Sequence, residues 1–260
     1  MLKNNYHTHT SRCHHAVDED EAYVLEAIRA GIETLGFSDH IPFLNGPESR
    51  IRMDISEMNG YLESIRYLRD KYADQIRILV GFEAEYIDDE IPFYQSLLNE
   101  NKVDYLIFGN HLYEGYETSS QRIENAAQLQ QYVDRAIAGM KSGLFQYLAH
   151  PDLFMVNIKD FDENCVKASE QLCQAALDLD MSIEFNCEGL RDHLNGHIFK
   201  NGTTLAYPHP QFWKIAAKMK NKVILGADAH ASTAVNDKAI KEAIRQTKEF
   251  NLNMIDHLEI

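Results

Sequence analysis

Long apolar runs are missing from the sequence. Nothing approaches the roughly 18 consecutive apolar residues that suggest a membrane-spanning helix. The first residues lack the basic, apolar and small-residue succession of a secretory leader, so the expected location is the cytoplasm. Cysteine is scarce. Cys13, Cys165, Cys173 and Cys187 show no CxxC spacing, which argues for reduced thiols and against a disulfide framework. No GxGxxG follows the first apolar strand, so the dinucleotide-binding fingerprint is absent. No low-complexity linker divides the chain, and nothing repeats beyond an alternating strand–helix unit. Positive charge is short as well. The 25 Lys and Arg against 40 Asp and Glu leave a net charge of −15, which argues against a nucleic-acid surface. Most of that excess reads as a solubilising acidic face, and part of it as counter-charge for bound cations.

What is present is a regular alternation. Short apolar runs at 5–10, 33–39, 76–83, 103–109, 145–149, 181–186 and 222–228 read as strands. Between and after them lie helical patterns at 20–31, 54–72, 89–99, 126–141, 162–179, 212–219 and 235–250, with Asp160 or Asp162 as the cap of the fifth. Seven strands alternating with helices predict a parallel sheet. At 260 residues, a single domain spanning 1–260 and closed as a distorted (β/α)7 TIM-like barrel fits better than an open doubly wound sheet. The longest irregular stretch, 188–210, has the length of a lid or binding loop.

The chemistry gathers at the ends of the strands. The first carries His7 and His9, whose i, i+2 spacing puts both imidazoles on one face of a strand, with Cys13-His14-His15 just beyond. The next ends in Ser38-Asp39-His40, the third in Gly81-Phe82-Glu83, and the fourth in Gly109-Asn110-His111. Ala149-His150-Pro151-Asp152 ends the fifth and Asp228-Ala229-His230 the last. An apolar strand that terminates in histidine is not what core packing requires. In a barrel these ends converge at the C-terminal mouth, where catalytic residues sit. Imidazoles with a few carboxylates suit zinc, iron or manganese better than calcium or magnesium. The donors outnumber the four that one tetrahedral ion takes, so two or three divalent transition-metal ions are implied, with a carboxylate such as Glu83 able to bridge a pair. Paired metals at such a site serve phosphate-ester chemistry.

These motifs, in this order and over essentially the whole chain, resemble the PHP (polymerase and histidinol phosphatase) family, and within it the histidinol-phosphatase branch. The resemblance implies a distorted (β/α)7 barrel with a trinuclear metal centre at its mouth. It assigns His7, His9, His15, His40, Glu83, His111, His150, Asp228 and His230 as ligands. His15 is preferred over His14 by the family's Cys-x-His pattern. Asn186 and Arg191 resemble the family's Asn-x-x-Gly-Leu-Arg segment, in which the arginine meets substrate phosphate, a role that suits a guanidinium fork. Arg52 resembles a further position near the mouth. The activity implied is hydrolysis of L-histidinol phosphate, a small-molecule ester of histidine biosynthesis. No nucleic-acid or membrane partner is expected, and homo-oligomerisation is left open.

The imidazole and ammonium of such a substrate call for acidic or aromatic groups, and Glu188 and Asp192 are the candidates. Asp39, His111 or a water on the metal could protonate the leaving group, and the sequence does not choose among them. Two rivals stand beside this reading: the same chemistry on another ester, such as phosphotyrosine protein or nucleic acid, and a non-catalytic metal-binding module. His193, His197 and His209 read as solvated or substrate-facing, His257 and Trp213 as structural, and Tyr113 and Tyr116 as candidates for the pocket wall.

Overall fold

β-Branched and aromatic residues concentrate in short runs, and these runs build the centre of the molecule. The computed structural model describes residues 2–47, 50–116 and 118–260. In chain order the strands are β1 (Asn4–Asn5), β2 (Thr34–His40), β3 (Arg77–Ala84), β4 (Tyr105–Phe108), β5 (Leu112–Glu114), β6 (Thr118–Ser119), β7 (Tyr147–Leu148), β8 (Ser182–Asn186), β9 (Lys222–Gly226) and β10 (Asn253–Met254). The helices are α1 (Asp20–Ala30), α2 (Met58–Lys71), α3 (Ile91–Asn99), α4 (Ala126–Lys141), α5 (Glu163–Asp178), α6 (Glu188–Leu194), α7 (Pro210–Met219) and α8 (Lys238–Glu249).

Eight strands form one sheet in the order β1-β2-β3-β4-β7-β8-β9-β10, and every pairing in it is parallel. β5 and β6 make a separate antiparallel hairpin over the mouth. The seven expected strands are all there. The eighth, β10, is a two-residue strand beside β9 that is too short for a periodic signal. The first strand is also shorter than expected. Only Asn4 and Asn5 pair regularly with β2, and the chain then continues extended. The Ser38 N–H donates to Thr8 O at 2.9 Å on one side, and the His9 N–H donates to Ala229 O at 3.0 Å on the other. Thr8 thus bridges in parallel to Ala229. This draws the chain leaving β1 against the chain leaving β9 at the upper rim.

The helices cover the outside by burying one stripe each. In α2 that stripe is Tyr61, Leu62, Ile65 and Leu68. Of the two candidate caps for α5 it is Asp162 that accepts from the Cys165 N–H, at 3.0 Å. The stretch expected to be irregular from 188 to 210 begins instead with α6. All four cysteines are free and buried. No helix among the described residues is long and apolar enough to cross a membrane.

Candidate metal centre

The parallel register sets the functional side chains side by side. His40, the last residue of β2, lies opposite Glu83 on β3. Beyond the strands the backbone turns sharply. Asn110, His150 and Asp228 hold φ values of 46°, 29° and 45°. A non-glycine residue rarely occupies that region, and such strain clusters at functional sites.

Glu83 is the hub of what results. Its Oε2 lies 3.4 Å from His7 Nε2, 3.4 Å from His9 Nε2 and 3.0 Å from His40 Nδ1. Its Oε1 lies 2.9 Å from His150 Nε2 and 3.5 Å from His111 Nε2. Asp228 closes the opposite side, with Oδ1 at 3.1 Å from His9 Nε2, 3.4 Å from His7 Nε2 and 3.5 Å from His230 Nδ1. His15 reaches in from the first loop, its Nε2 2.9 Å from His230 Nε2. His14 points outward, at φ 65° and with its Nε2 3.3 Å from Glu57. All nine residues singled out by the resemblance therefore meet at one place. The candidate donor atoms of His9, His40 and His230 lie within 4.8 Å of one another, as do those of His7, His150 and Asp228.

A test of whether these residues fit a metal comes from their unsatisfied atoms. His9 Nδ1, His40 Nδ1, His150 Nδ1, Glu83 Oε2 and Asp228 Oδ1 are buried without a hydrogen-bond partner among the described residues. Each such atom costs on the order of 1–3 kcal/mol unless something satisfies it. Of these, Glu83 Oε2, His40 Nδ1 and Asp228 Oδ1 face the cluster and fit cations, whereas His9 and His150 turn Nε2 inward and Nδ1 away. The charges within the cluster shift one another strongly. Burial alone would raise Glu83, but His111, His7 and His40 outweigh it and hold the carboxyl well below the usual range. Burial and the neighbouring His9 push His230 down to about 3, whereas the surrounding carboxylates override burial and raise His7, His9 and His111.

The groups expected to face substrate are distributed less evenly. A cavity of about 570 Å³ opens above the cluster, and Arg52, His111 and Glu188 line it. The Arg52 guanidinium stacks 4.0 Å over Phe43, and its Nη1 donates to Ile41 O at 2.8 Å. Arg191 does not line the cavity. Its guanidinium is committed to Glu188, to Asp237 at 2.7 Å, and to the carbonyls of Ala227 and Ala234 at 3.1 Å each. Burial pushes Glu188 up to about 7 despite this pairing. Asn186 lies behind the cluster and donates to Asp228 Oδ2 at 3.0 Å. Asp39 is fully buried and clamps Thr10, accepting from its backbone N–H at 3.1 Å and from its hydroxyl. Asp192 lies outside the cavity wall, whereas Tyr116 is part of it.

The remaining histidines are structural or superficial. His209 caps α7 and stacks at 4.8 Å on Phe161. His193 contacts Thr204, and His257 is exposed beside Glu259. Trp213 is in the core, its indole N–H donating to Asp152 at 3.2 Å.

Sequence reasoning passed over three residues that matter to the site. Glu85 accepts from the His111 N–H at 2.8 Å, lies 2.9 Å from His111 Nδ1, and pairs with Arg52 at 3.3 Å. Its position two residues after Glu83, just past the end of β3, was the available signal. Arg122 and Lys200 also line the mouth, and nothing in their local sequence marks them.

Comparison with known proteins agrees with this geometry. The model of the PHP domain matches residues 5–188. A Deinococcus radiodurans protein named "Probable histidinol-phosphatase" is 26% identical, over 86% of this chain and 85% of that protein. The Bacillus subtilis histidinol-phosphatase is 24% identical, over 88% of this chain and 94% of that protein. The crystal structure of histidinol phosphate phosphatase from Lactococcus lactis, complexed with zinc, L-histidinol and phosphate, superposes with a TM-score of 0.73 at 17% identity and covers 100% of both chains. With its strand-end histidine and carboxylate motifs converged at one mouth and more than half its length matched, the chain belongs to the PHP domain family.

Proposed function

We propose that the protein is a metal-dependent phosphomonoesterase that hydrolyses L-histidinol phosphate to L-histidinol and phosphate. The observation that carries this reading is the convergence of seven imidazoles and two carboxylates, several of their atoms unsatisfied, on the floor of one cavity. The substrate is supported by the names of the relatives, which align along most of their own length.

His7, His9, His15, His40, Glu83, His111, His150, Asp228 and His230 hold two or three zinc, iron or manganese ions. When bound, these supply Lewis acidity to phosphate oxygens and an activated water. The chain's own contribution is position and charge. Glu83 offers one oxygen to each half of the histidine set, as a bridging carboxylate would. Arg52, Arg122 and Lys200 give the cavity positive charge for the phosphate within an otherwise acidic protein. Glu188 faces the cavity and takes the cationic end of the substrate. Arg191 acts through Glu188 by fixing its carboxylate. A small-molecule ester suits a cavity of about 570 Å³, and the net charge of −15 opposes nucleic acid.

The test is phosphate release from L-histidinol phosphate beside p-nitrophenyl phosphate and a phosphotyrosine peptide, with zinc, manganese or iron added. The expected result is a kcat/KM for histidinol phosphate far above the other two, abolished in His230→Ala. Equal, slow turnover of all three esters would overturn the substrate.

A further inference from the structure

Glu184 stands in the middle of β8, fully buried, at a position where a parallel strand ordinarily carries an apolar residue. A lone carboxylate there would be strongly destabilising. Its surroundings explain why it is tolerated, because three of its four partners, His7, His150 and Asn186, belong to the metal centre or its immediate support. Oε1 lies 2.8 Å from His7 Nδ1 and accepts from the Tyr147 hydroxyl at 3.3 Å. Oε2 accepts from the Asn186 amide at 2.8 Å and from the backbone N–H of His150 at 3.2 Å. Each oxygen therefore has two donors, which leaves the carboxylate no capacity to bind an ion itself.

We propose that Glu184 is the positioning residue of the centre, a single carboxylate that orients three of its ligands from behind. The first is His7. A carboxylate only accepts, so His7 Nδ1 carries a hydrogen, which leaves Nε2, facing Glu83 and Asp228, as the nitrogen able to bind a metal. The second is His150, whose N–H is held by Oε2 at the point where its backbone takes the strained φ of 29°. The third is Asp228. The Asn186 amide donates to Glu184 Oε2 and also to Asp228 Oδ2, which turns Oδ1 toward His7 and His9. Outer partners of this kind fix the tautomer and the direction of a ligand.

The neighbouring strand is cut to fit this carboxylate. Gly226 of β9 lies opposite Asn186 in the register. A Cβ added to Gly226 would fall 1.8 Å from Glu184 Oε1 and 2.4 Å from its carboxyl carbon. The absence of a side chain at 226 is what gives Glu184 its room. Two independent substitutions thus reach the same device: Glu184→Gln removes the charge with little change of shape, and Gly226→Ala displaces the carboxylate while keeping its charge.

The inference rests on the metal-centre reading, and the experiment separates the two. Zinc affinity of the full chain is measured by competition with a fluorescent chelator, beside circular dichroism and thermal unfolding of the metal-free protein. Both variants are expected to bind zinc about 10- to 100-fold more weakly than the parent. The kcat for phosphate release should fall more than KM rises. In ¹⁵N spectra of the metal-free parent, neutral His7 should carry its hydrogen at Nδ1, and Glu184→Gln, whose amide can donate as well as accept, should mix the two tautomers. If the parent binds no zinc, the metal-centre reading fails. If the parent binds it and both folded variants bind equally well, Glu184 is only a structural residue and the inference is overturned. Should Glu184→Gln not fold, Gly226→Ala and Asn186→Ala decide alone.

Discussion

Leu79 and Glu83 belong to the same strand and, at an even spacing, to the same face of it. Leu79 packs in a cluster with Tyr6, Tyr105, Ile107, Tyr147, Ile224 and Leu258. Glu83 lies within 3.5 Å of ring nitrogens from His7, His9, His40, His111 and His150. Between them Gly81 keeps the strand slim, since a Cβ there would meet the Tyr105 ring at 2.6 Å. The lower end of this lumen is closed by apolar and aromatic side chains and by the C-terminal segment, whose Leu258 N–H donates to the Tyr6 hydroxyl at 3.2 Å. The upper end is closed by polar groups that the protein alone does not satisfy. The same strands therefore run from a layer that stabilises the fold to a layer that costs it stability unless cations satisfy it. Stability and function are separated along one axis, and substitutions at the two ends should fail in different ways.

The largest effect belongs to the upper end. His9→Ala or Asp228→Ala is expected to lower kcat/KM by more than the roughly 100-fold that outer-layer changes cost. Each should also abolish the rise in Tm that metal gives the parent. That rise should be on the order of 10 °C at saturating metal, corresponding to about 3–4 kcal/mol of linked stabilisation. Scanning calorimetry with and without zinc reads both. At the lower end, Leu79→Ala should cost about 2–5 kcal/mol in denaturant unfolding, while the folded variant retains the parent's metal content. Loss of metal from that variant would break the comparison.

Arg191 sharpens it from the side. Its guanidinium ties α6 to Asp237 and to the loop after β9, so Arg191→Ala should destabilise by about 3 kcal/mol through the carboxylates left unpaired. A variant that kept its full stability and lost only phosphate affinity would return Arg191 to the direct phosphate contact implied by the family resemblance. Glu188→Gln should raise KM for histidinol phosphate about 10-fold with kcat little changed, because a charged hydrogen bond is worth about 1.5–3 kcal/mol. The smallest effect lies outside both ends. Burial lowers His209 to about 4 from 6.5. A depressed histidine contributes stability that is present above pH 6.5 and lost as the pH falls toward 4. His209→Asn keeps a cap for α7, so it should lose about 1 kcal/mol less than the parent between pH 7 and pH 4.5, after allowance for partial exposure. Parallel thermal melts at the two pH values compare them.

The upper layer was legible in the sequence because it breaks a rule of cores. Apolar strands ending in His40, His111 and His150 have no packing reason to do so, and a parallel barrel gathers such ends without further information. The choice of His15 over His14 came from the family pattern. Geometrically it depends on His14 holding φ at 65° and turning to Glu57, which no spacing reports. Glu184 was not legible as support. A single acid inside an apolar strand looks alike whether it binds an ion, a substrate or a neighbouring ligand, and only its four donors separate these cases. Arg191 is ambiguous for a related reason. A guanidinium matches phosphate and carboxylate equally well, and the nearby Glu188 and Asp237 occupy it. The short β10 and the bridge at Thr8 depend on closure of the whole sheet, which local periodicity does not carry.

The most direct test of the central claim is a count of metal in the purified parent protein by elemental analysis after reconstitution and removal of free ions, with Asp228→Ala measured beside it. The account predicts about two to three equivalents of transition metal per chain in the parent and a clear loss in the variant. Less than one equivalent in the parent, or equal content in both proteins, would contradict a multinuclear centre at the mouth of this barrel.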